Sequence, residues 1–412
     1  MRVAIVCDWY LPRFGGIENH LRDLTVDLVR AGIDVEVLTP MPGPSTVDGV
    51  KVTRLCDETL PDGGYTFPPP PQATSLRDLG FYIDMFFGRR KPTAYQRLRD
   101  ALTADRFDLA HVHFGNSPFA FAAARHAVRI GLPTITTFHS MIGHFQIIAA
   151  FGLRYLLDIP AWPVRHFAVS SVERESLRPL LGAAPVGILH NGTDSAFWAD
   201  GGTVARPPSG PIEILAASRL HMRKRLGALI DTVVAVANRR GAADFRLTIA
   251  GDGPAMDELR RRIERHRADG FITLAGRLPA SELRAMHKRS HLFVVPAHLE
   301  SFCLAALEAR CSGLPVLAMG DTGVRDFLEP GKDSILVDDD AALGRALEQF
   351  LDDPTLQAGL IDGASLPPEG FDHKDVAAAH IRLYDEILSG GRVKTAPRSA
   401  AEPANGIHKS VD

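Results

Sequence analysis

Cysteine is scarce in this chain. Cys7, Cys56, Cys303 and Cys311 are the only four among 412 residues, and none stand in the C-x-x-C spacing of a zinc site. A chain this long needs no disulfide staples, so the four fit a reducing cytoplasm. A basic excess is missing as well. The formal net charge is -3, and no nucleic-acid partner is expected. No uncharged apolar run reaches membrane-spanning length, and Asp8 breaks the apolar start after Val3 to Cys7. Neither a transmembrane helix nor a signal peptide is therefore expected. What is present is ordinary: 45% hydrophobic and 23% charged residues describe a globular protein, long enough for two domains.

The stretch from Phe293 to Gly331 organises the rest. Phe293-Val294-Val295 is a short apolar run closed by Pro296, which reads as a buried strand. Ser301 is a suitable N-cap for a helix through Phe302 to about Arg310, with Gly313 beyond its end and a strand over Leu314 to Met319. Strand, loop, helix, strand implies a parallel sheet with ligands beyond the carboxyl ends of its strands. The backbone N–H groups of Phe302, Cys303 and Leu304 would then face an anion, between Glu300 in the loop and Glu308 in the helix. Taken alone, two glutamates eight residues apart also describe a surface loop and a solvated helix.

From the N-terminus, Arg2 to Cys7 reads as a strand and Gly15-Gly16 as a turn. A helix follows from Ile17, with Leu21, Leu24 and Leu28 at helical spacing, and Val35 to Leu38 is a second strand. The turn lacks the third glycine of a dinucleotide fingerprint, so a tight turn and a phosphate loop both remain open. Residues 40 to 75 are loops around one strand, Val50 to Leu55. Phe81, Tyr82, Phe86 and Phe87 directly precede Arg89-Arg90-Lys91. That pattern fits an amphipathic helix packed on its own domain or a segment docked on an anionic membrane. A strand over Asp108 to Phe114 puts His111 and His113 on one face, with no third metal ligand nearby in sequence. His139 ends the strand Pro133 to Phe138, where a structural and a ligand-facing role both fit. After a Gly/Pro linker at 199 to 211, the strand Ile212 to Ala216 runs into SRLHMRKR. Its Arg219 and Lys224 are either solvated cations or a pair that neutralises a diphosphate. Asp338-Asp339-Asp340 reads as a helix cap.

Taken in order, Asn191-Gly192-Thr193-Asp194, Arg219-x4-Lys224 and Glu300-x7-Glu308 resemble the motifs of the family 4 glycosyltransferases, retaining enzymes of GT-B fold that use nucleotide sugars. The likeness covers about residues 1 to 390. The strings HSMIGHF, SRLHMRKR and ESFCLAALEA are most similar to the members that add N-acetylglucosamine to phosphatidylinositol, and also to bacterial mannosyl- and glucosaminyltransferases. The resemblance implies an α/β chain of two doubly wound Rossmann-like domains facing across a cleft. Residues 1–194 would bind acceptor and 195–371 the nucleotide sugar. Residues 372–390 would form a helix packing back on the first domain, and 391–412 a disordered tail.

The same resemblance implies roles. Arg219 and Lys224 neutralise the departing diphosphate, Glu300 meets the sugar hydroxyls and Glu308 the ribose. His139 lies against the sugar near the reacting carbon. Gly16, Arg277, Ser301, Phe302, Cys303 and Leu304 complete the donor site, and Gly15 and Glu18 join His139 on the acceptor side. Arg225 departs from the pattern, because glycine often follows the lysine. No metal or other cofactor is implied, since the protein supplies the positive charge, and the nucleotide sugar is a co-substrate. The expected reaction is retaining transfer of a hexosyl or N-acetylhexosaminyl group, with a UDP-sugar favoured. The acceptor would be a lipid or lipid-linked glycan, and the enzyme cytoplasmic and peripheral on the inner face of the membrane. A GDP-mannose-dependent mannosyltransferase, a GT-B sugar-nucleotide epimerase and a non-catalytic scaffold are the alternatives.

Overall fold

Strand-forming runs alternate with amphipathic helices from Arg2 to Leu388, and the chain folds into two largely parallel sheets. The computed structural model describes residues 1–13, 15–56, 93–115, 118–142, 150, 154–155, 157–200, 210–241 and 244–390. The Phe81 to Lys91 segment and the 391–412 tail lie outside the described residues. Among the described residues, no helix is long and apolar enough to cross a membrane.

The first sheet contains β1 (Arg2–Cys7), β2 (Asp34–Thr39), β3 (Thr46–Val47), β4 (Val50–Arg54), β5 (Leu109–Phe114), β6 (Thr134–Phe138), β7 (Arg165–Ala168) and β8 (Val186–Ile188). Its order is β3-β4-β2-β1-β5-β6-β7-β8, and only the β3–β4 hairpin is antiparallel. The second contains β9 (Ile212–Ala217), β10 (Phe245–Ala250), β11 (Ile272–Gly276), β12 (Leu292–Val295), β13 (Val316–Met319) and β14 (Ser334–Val337). Its order is β11-β10-β9-β12-β13-β14, parallel throughout. Central strands such as β5 and β12 are buried along their whole length because helices cover both faces. The order reverses between β1 and β5 in one sheet and between β9 and β12 in the other. Loops leaving the carboxyl ends at such switch points open a crevice for ligands.

Helix α1 (Gly16–Arg30) buries Leu21, Leu24 and Leu28 against the core of the first sheet. Each fully buried leucine contributes about 1.5–3 kcal/mol, which fixes how α1 lies on its strands. Three further helices bear on the site: α2 (Ser171–Ser176), α3 (Leu226–Arg240) and α4 (Leu304–Cys311). The last helix, α5 (His373–Leu388), leaves the second sheet and packs on α1, adding Leu383 and Tyr384 to that core. The chain crosses between domains beside itself. Thr193 N–H donates to Phe371 O at 3.1 Å, and His373 N–H to Thr193 O at 2.9 Å. Gly192 permits this approach, because an added Cβ would stand 2.9 Å from His373 Cα. His373 also bonds Asp27 of α1, so the crossing is latched to the first domain.

Candidate functional site

On the first domain, the loop after β1 ends in Gly15 and Gly16. A Cβ on Gly15 would meet Glu18 Oε2 at 2.4 Å, so glycine there lets the Glu18 carboxyl fold back over the start of α1. A Cβ on Gly16 would lie 3.7 Å from Leu304 Cδ1, so the starts of α1 and α4 meet across the cleft. Each helix start presents the positive end of a dipole, which favours a phosphate, and at α1 the Glu18 carboxyl already takes its own backbone N–H. Burial raises the Glu18 carboxyl above its ordinary pKa, while Arg13, 3.3 Å away, and Arg219 of the other domain act against the rise. His139 follows β6 and is buried. Its Nε2 lies 2.9 Å from His113 Nδ1, and its carbonyl accepts the Ser301 hydroxyl at 2.6 Å. Burial pushes its pKa down to about 3, so the ring is neutral.

On the second domain, β9 runs into the two cations. Arg219 is exposed, and Lys224 ends a short 3-10 turn, Met222–Lys224, and ion-pairs with Glu300. Arg225 takes the left-handed conformation (φ 55°, ψ 26°) that favours glycine. An ion pair with Asp340 holds it there, so the loop keeps a glycine-type backbone although the glycine is absent. The GDGP turn after β10 supports that loop from behind. Cβ atoms on Gly251 and Gly253 would come to 1.9 Å and 2.5 Å from the carbonyl oxygens of Ser218 and Leu220. Gly251 N–H also donates to Gly276 O at 2.7 Å, which ties in the turn that carries exposed Arg277. Asp339 accepts Ala342 N–H at 2.7 Å, so the Asp338-Asp339-Asp340 run does cap a helix.

One expected detail is corrected. Ser301 does not cap the helix, which begins only at Leu304 after a left-handed Cys303 (φ 70°). The Ser301 hydroxyl is taken by the His139 carbonyl of the other domain. Phe302 turns into the core against Phe327 and Phe371. The helix thus leaves the first-turn N–H groups of Leu304 and Ala305 without an intrahelical partner. Gly323 fixes this loop: its N–H donates to Glu300 O at 2.9 Å, and a Cβ would stand 1.9 Å from Ser301 O. Burial pushes the Cys303 thiol up to about 12, so it is no nucleophile. Glu308, half-buried on α4, makes no side-chain hydrogen bond to a described residue. Burial, with the Asp23 carboxylate of α1 adding to it, pushes its pKa up to about 8.

Several contacts have no local signal in the sequence. Ser171, at the start of α2, donates its N–H to Asp326 at 2.8 Å and its hydroxyl to the same carboxylate, a second tie between the domains. Glu173 is buried and accepts Val169 N–H at 2.9 Å. His111 uses both ring nitrogens, on Tyr384 OH and Thr137 Oγ1 at 2.8 Å each, which accounts for it without a metal. Among the described residues, the one group spaced for a metal ion is Asp194, Asp372 and His373, at the domain crossing.

Residues 14–197 match the family model "Glycosyltransferase Family 4", and residues 204–365 match "Glycosyl transferases group 1". The chain is 27% identical to a phosphatidylinositol N-acetylglucosaminyltransferase subunit of Arabidopsis thaliana, over 85% of this chain and 74% of that one. It is 28% identical to a glycogen synthase of Mycobacterium tuberculosis, over 95% and 96%. It is 27% identical to a phosphatidyl-myo-inositol mannosyltransferase of Mycolicibacterium smegmatis, over 100% of both. Among solved structures, Anabaena HepE, determined in complex with UDP and glucose, superimposes with a TM-score of 0.70 at 15% identity, over 93% of this chain and 99% of that one, a likeness of fold.

Proposed function

We propose, since the chain belongs to the family 4 glycosyltransferases and has their GT-B fold, that it moves a hexosyl or N-acetylhexosaminyl group from a UDP-sugar, with retention, to a lipid or lipid-linked glycan. The observation that carries the reading is the meeting of two helix starts, at Gly16 and Leu304, beside the loop of Arg219 and Lys224. A diphosphate set there takes N–H donors from both domains and positive charge from the second. Lys224 and Glu300 hold each other. With donor in place, Lys224 turns to phosphate and Glu300 to sugar hydroxyls, an exchange that leaves neither charge unpaired. Glu308 accepts the ribose hydroxyls. His139 meets the sugar as a neutral ring. The acceptor hydroxyl attacks from the face that the diphosphate leaves, and a phosphate oxygen takes its proton. The growing charge on the diphosphate is met by groups already in position, so this scheme needs no metal ion.

The UDP of the HepE structure supports the choice of nucleotide, and the phosphatidylinositol in two relatives' names supports a lipid acceptor. Residues 1–194 would then receive acceptor and 195–371 the donor. The Phe81 to Lys91 pattern supports peripheral binding at the cytoplasmic face of a membrane. The mannosyltransferase relative favours GDP-mannose as the second reading, and the glycogen synthase relative a glucan acceptor.

Thermal shifts with UDP, GDP and ADP separate the donors, since a ligand of the native state alone raises stability. UDP is expected to stabilise most; a preference for GDP moves the reading to mannose. UDP release from UDP-N-acetylglucosamine should then require phosphatidylinositol vesicles. Release with glycogen alone replaces the lipid, and turnover without any acceptor points to an epimerase.

A further inference from the structure

In the proposed reaction His139 lies against the sugar, and the structure shows what holds that imidazole. We propose that His113 is a positioning residue: it donates its Nδ1–H to His139 Nε2 and so fixes His139 as the Nδ1–H tautomer, with that N–H as hydrogen-bond donor to an oxygen of the donor sugar. The role rests on the sugar-facing reading of His139.

Strands β5 and β6 run side by side, with His113 paired to Thr137 in register. Alternation then brings His111 and His113 to the same face as Thr137 and His139. His113 Nδ1 and His139 Nε2 are 2.9 Å apart, and both rings are buried. Only one proton fits between two neutral imidazoles. The other two ring nitrogens, His113 Nε2 and His139 Nδ1, are also buried and have no partner among the described residues. His111 stacks on His113 with ring centroids 3.9 Å apart, but its own nitrogens are committed to Thr137 and Tyr384. It can serve neither.

Two arrangements remain. If His139 donates from Nε2, the proton of His113 must sit on Nε2, an orphaned donor on a ring held within β5. If His113 donates from Nδ1, its Nε2 is a bare lone pair, and the one unpaired N–H is His139 Nδ1. A buried orphaned N–H is the more costly defect. The second arrangement moves it to the residue whose carbonyl already meets Ser301 of the donor loop, where a sugar oxygen can accept it. Tyr384 of α5 reaches the array through His111, so the helix that returns from the second domain braces the ring that positions His139.

Long-range 1H–15N correlation of the 15N-histidine-labelled full chain at neutral pH reads the tautomers directly, with His139 assigned by its absence in His139→Gln. The expected spectrum shows His139 protonated on Nδ1 and bare on Nε2. His113→Leu should return His139 toward the Nε2–H form that free histidine prefers. His113→Asn, whose amide N–H stands near the former Nδ1–H, should keep Nδ1–H. A wild-type His139 carrying Nε2–H overturns the proposal, as does an unchanged tautomer in His113→Leu. Should that variant fail to fold, the wild-type spectrum decides alone.

With the donor that the chain turns over, His113→Leu should lower kcat on the order of ten- to a hundredfold with little change in donor KM. His113→Asn should restore most of the rate. Equal losses in both variants would make His113 a packing residue only. A wild-type rate in His139→Gln would remove His139 from the reaction and the purpose of its tautomer, an outcome separable from the spectrum.

Discussion

On the first domain's wall of the cleft, three histidines, on α1, in β5 and after β6, are neutral rings. His20, His113 and His139 are all buried, and burial holds each below the ordinary histidine pKa. On the second domain's wall, the groups are ions on half-open loops: Arg219, Lys224 paired with Glu300, and Arg225 paired with Asp340. The strand order explains the difference. His113 lies within β5 and His139 directly after β6, both central strands covered on two faces, where an ion would be desolvated. The cations of SRLHMRKR sit beyond the end of β9, where water and counter-charges reach them. One wall can therefore offer shape and single hydrogen bonds, while the other balances a diphosphate. Glu308 stands between the two regimes: it sits on the charged wall, yet burial makes it behave like the neutral one.

The largest effect should come from the anchor of the charged wall. Buried Arg310 of α4 pairs with buried Asp333 at 2.8 Å and donates to Ala364 O at 2.6 Å. Arg310→Ala leaves an uncompensated buried carboxylate and should cost about 3–5 kcal/mol in urea unfolding. A loss no greater than a surface change would mean that α4 is held some other way. Next come the cations themselves. Arg219→Ala and Lys224→Ala should each lower kcat by about 10²–10³, because the charge they meet develops in the transition state. Wild-type turnover in either would erase the contrast between the walls.

A pH titration sharpens the position of Glu308. Its carboxyl, raised to about 8, is protonated below that pH and must release the proton to accept two ribose hydroxyls. UDP binding should tighten as pH rises toward 8, at most about tenfold per unit, and level off above it. The slope should vanish in Glu308→Gln. A wild-type affinity independent of pH between 6 and 8 would mean that the carboxyl is not used as an acceptor. The smallest effect is expected at Arg225→Gly. Glycine takes the same left-handed backbone without strain, and the half-exposed pair with Asp340 is worth only about 0–1 kcal/mol. A Tm shift of many degrees would show that Arg225 does more than hold the loop.

Much of the scaffold was legible from period and turn residues. The run Arg2 to Cys7 is β1 at both ends, and β9 runs into the Arg219–Lys224 loop as the apolar pattern implies. Glu300, Glu308, Arg219 and Lys224 do share one wall, because their spacing places each beyond a parallel strand or on the helix after it. Ser301 is where local reasoning failed. Cap preference is a local propensity, and a carbonyl 162 residues away outbid it. The His113–His139 pair was likewise invisible. Its members come from neighbouring strands 26 residues apart, and alternation alone does not say which strands are neighbours. The environment of Glu308 depends on Asp23 and the other domain, which no window of sequence contains.

The division between the walls can be tested in a single calorimetric comparison of UDP affinity at pH 8.5, using Glu308→Gln and His139→Gln. If the second domain holds the nucleotide and His139 meets only the sugar, Glu308→Gln should lose about 1.5–3 kcal/mol of binding, roughly ten- to a hundredfold in Kd. His139→Gln should bind UDP like the wild type. Equal losses in both, or wild-type affinity in Glu308→Gln, would contradict the account.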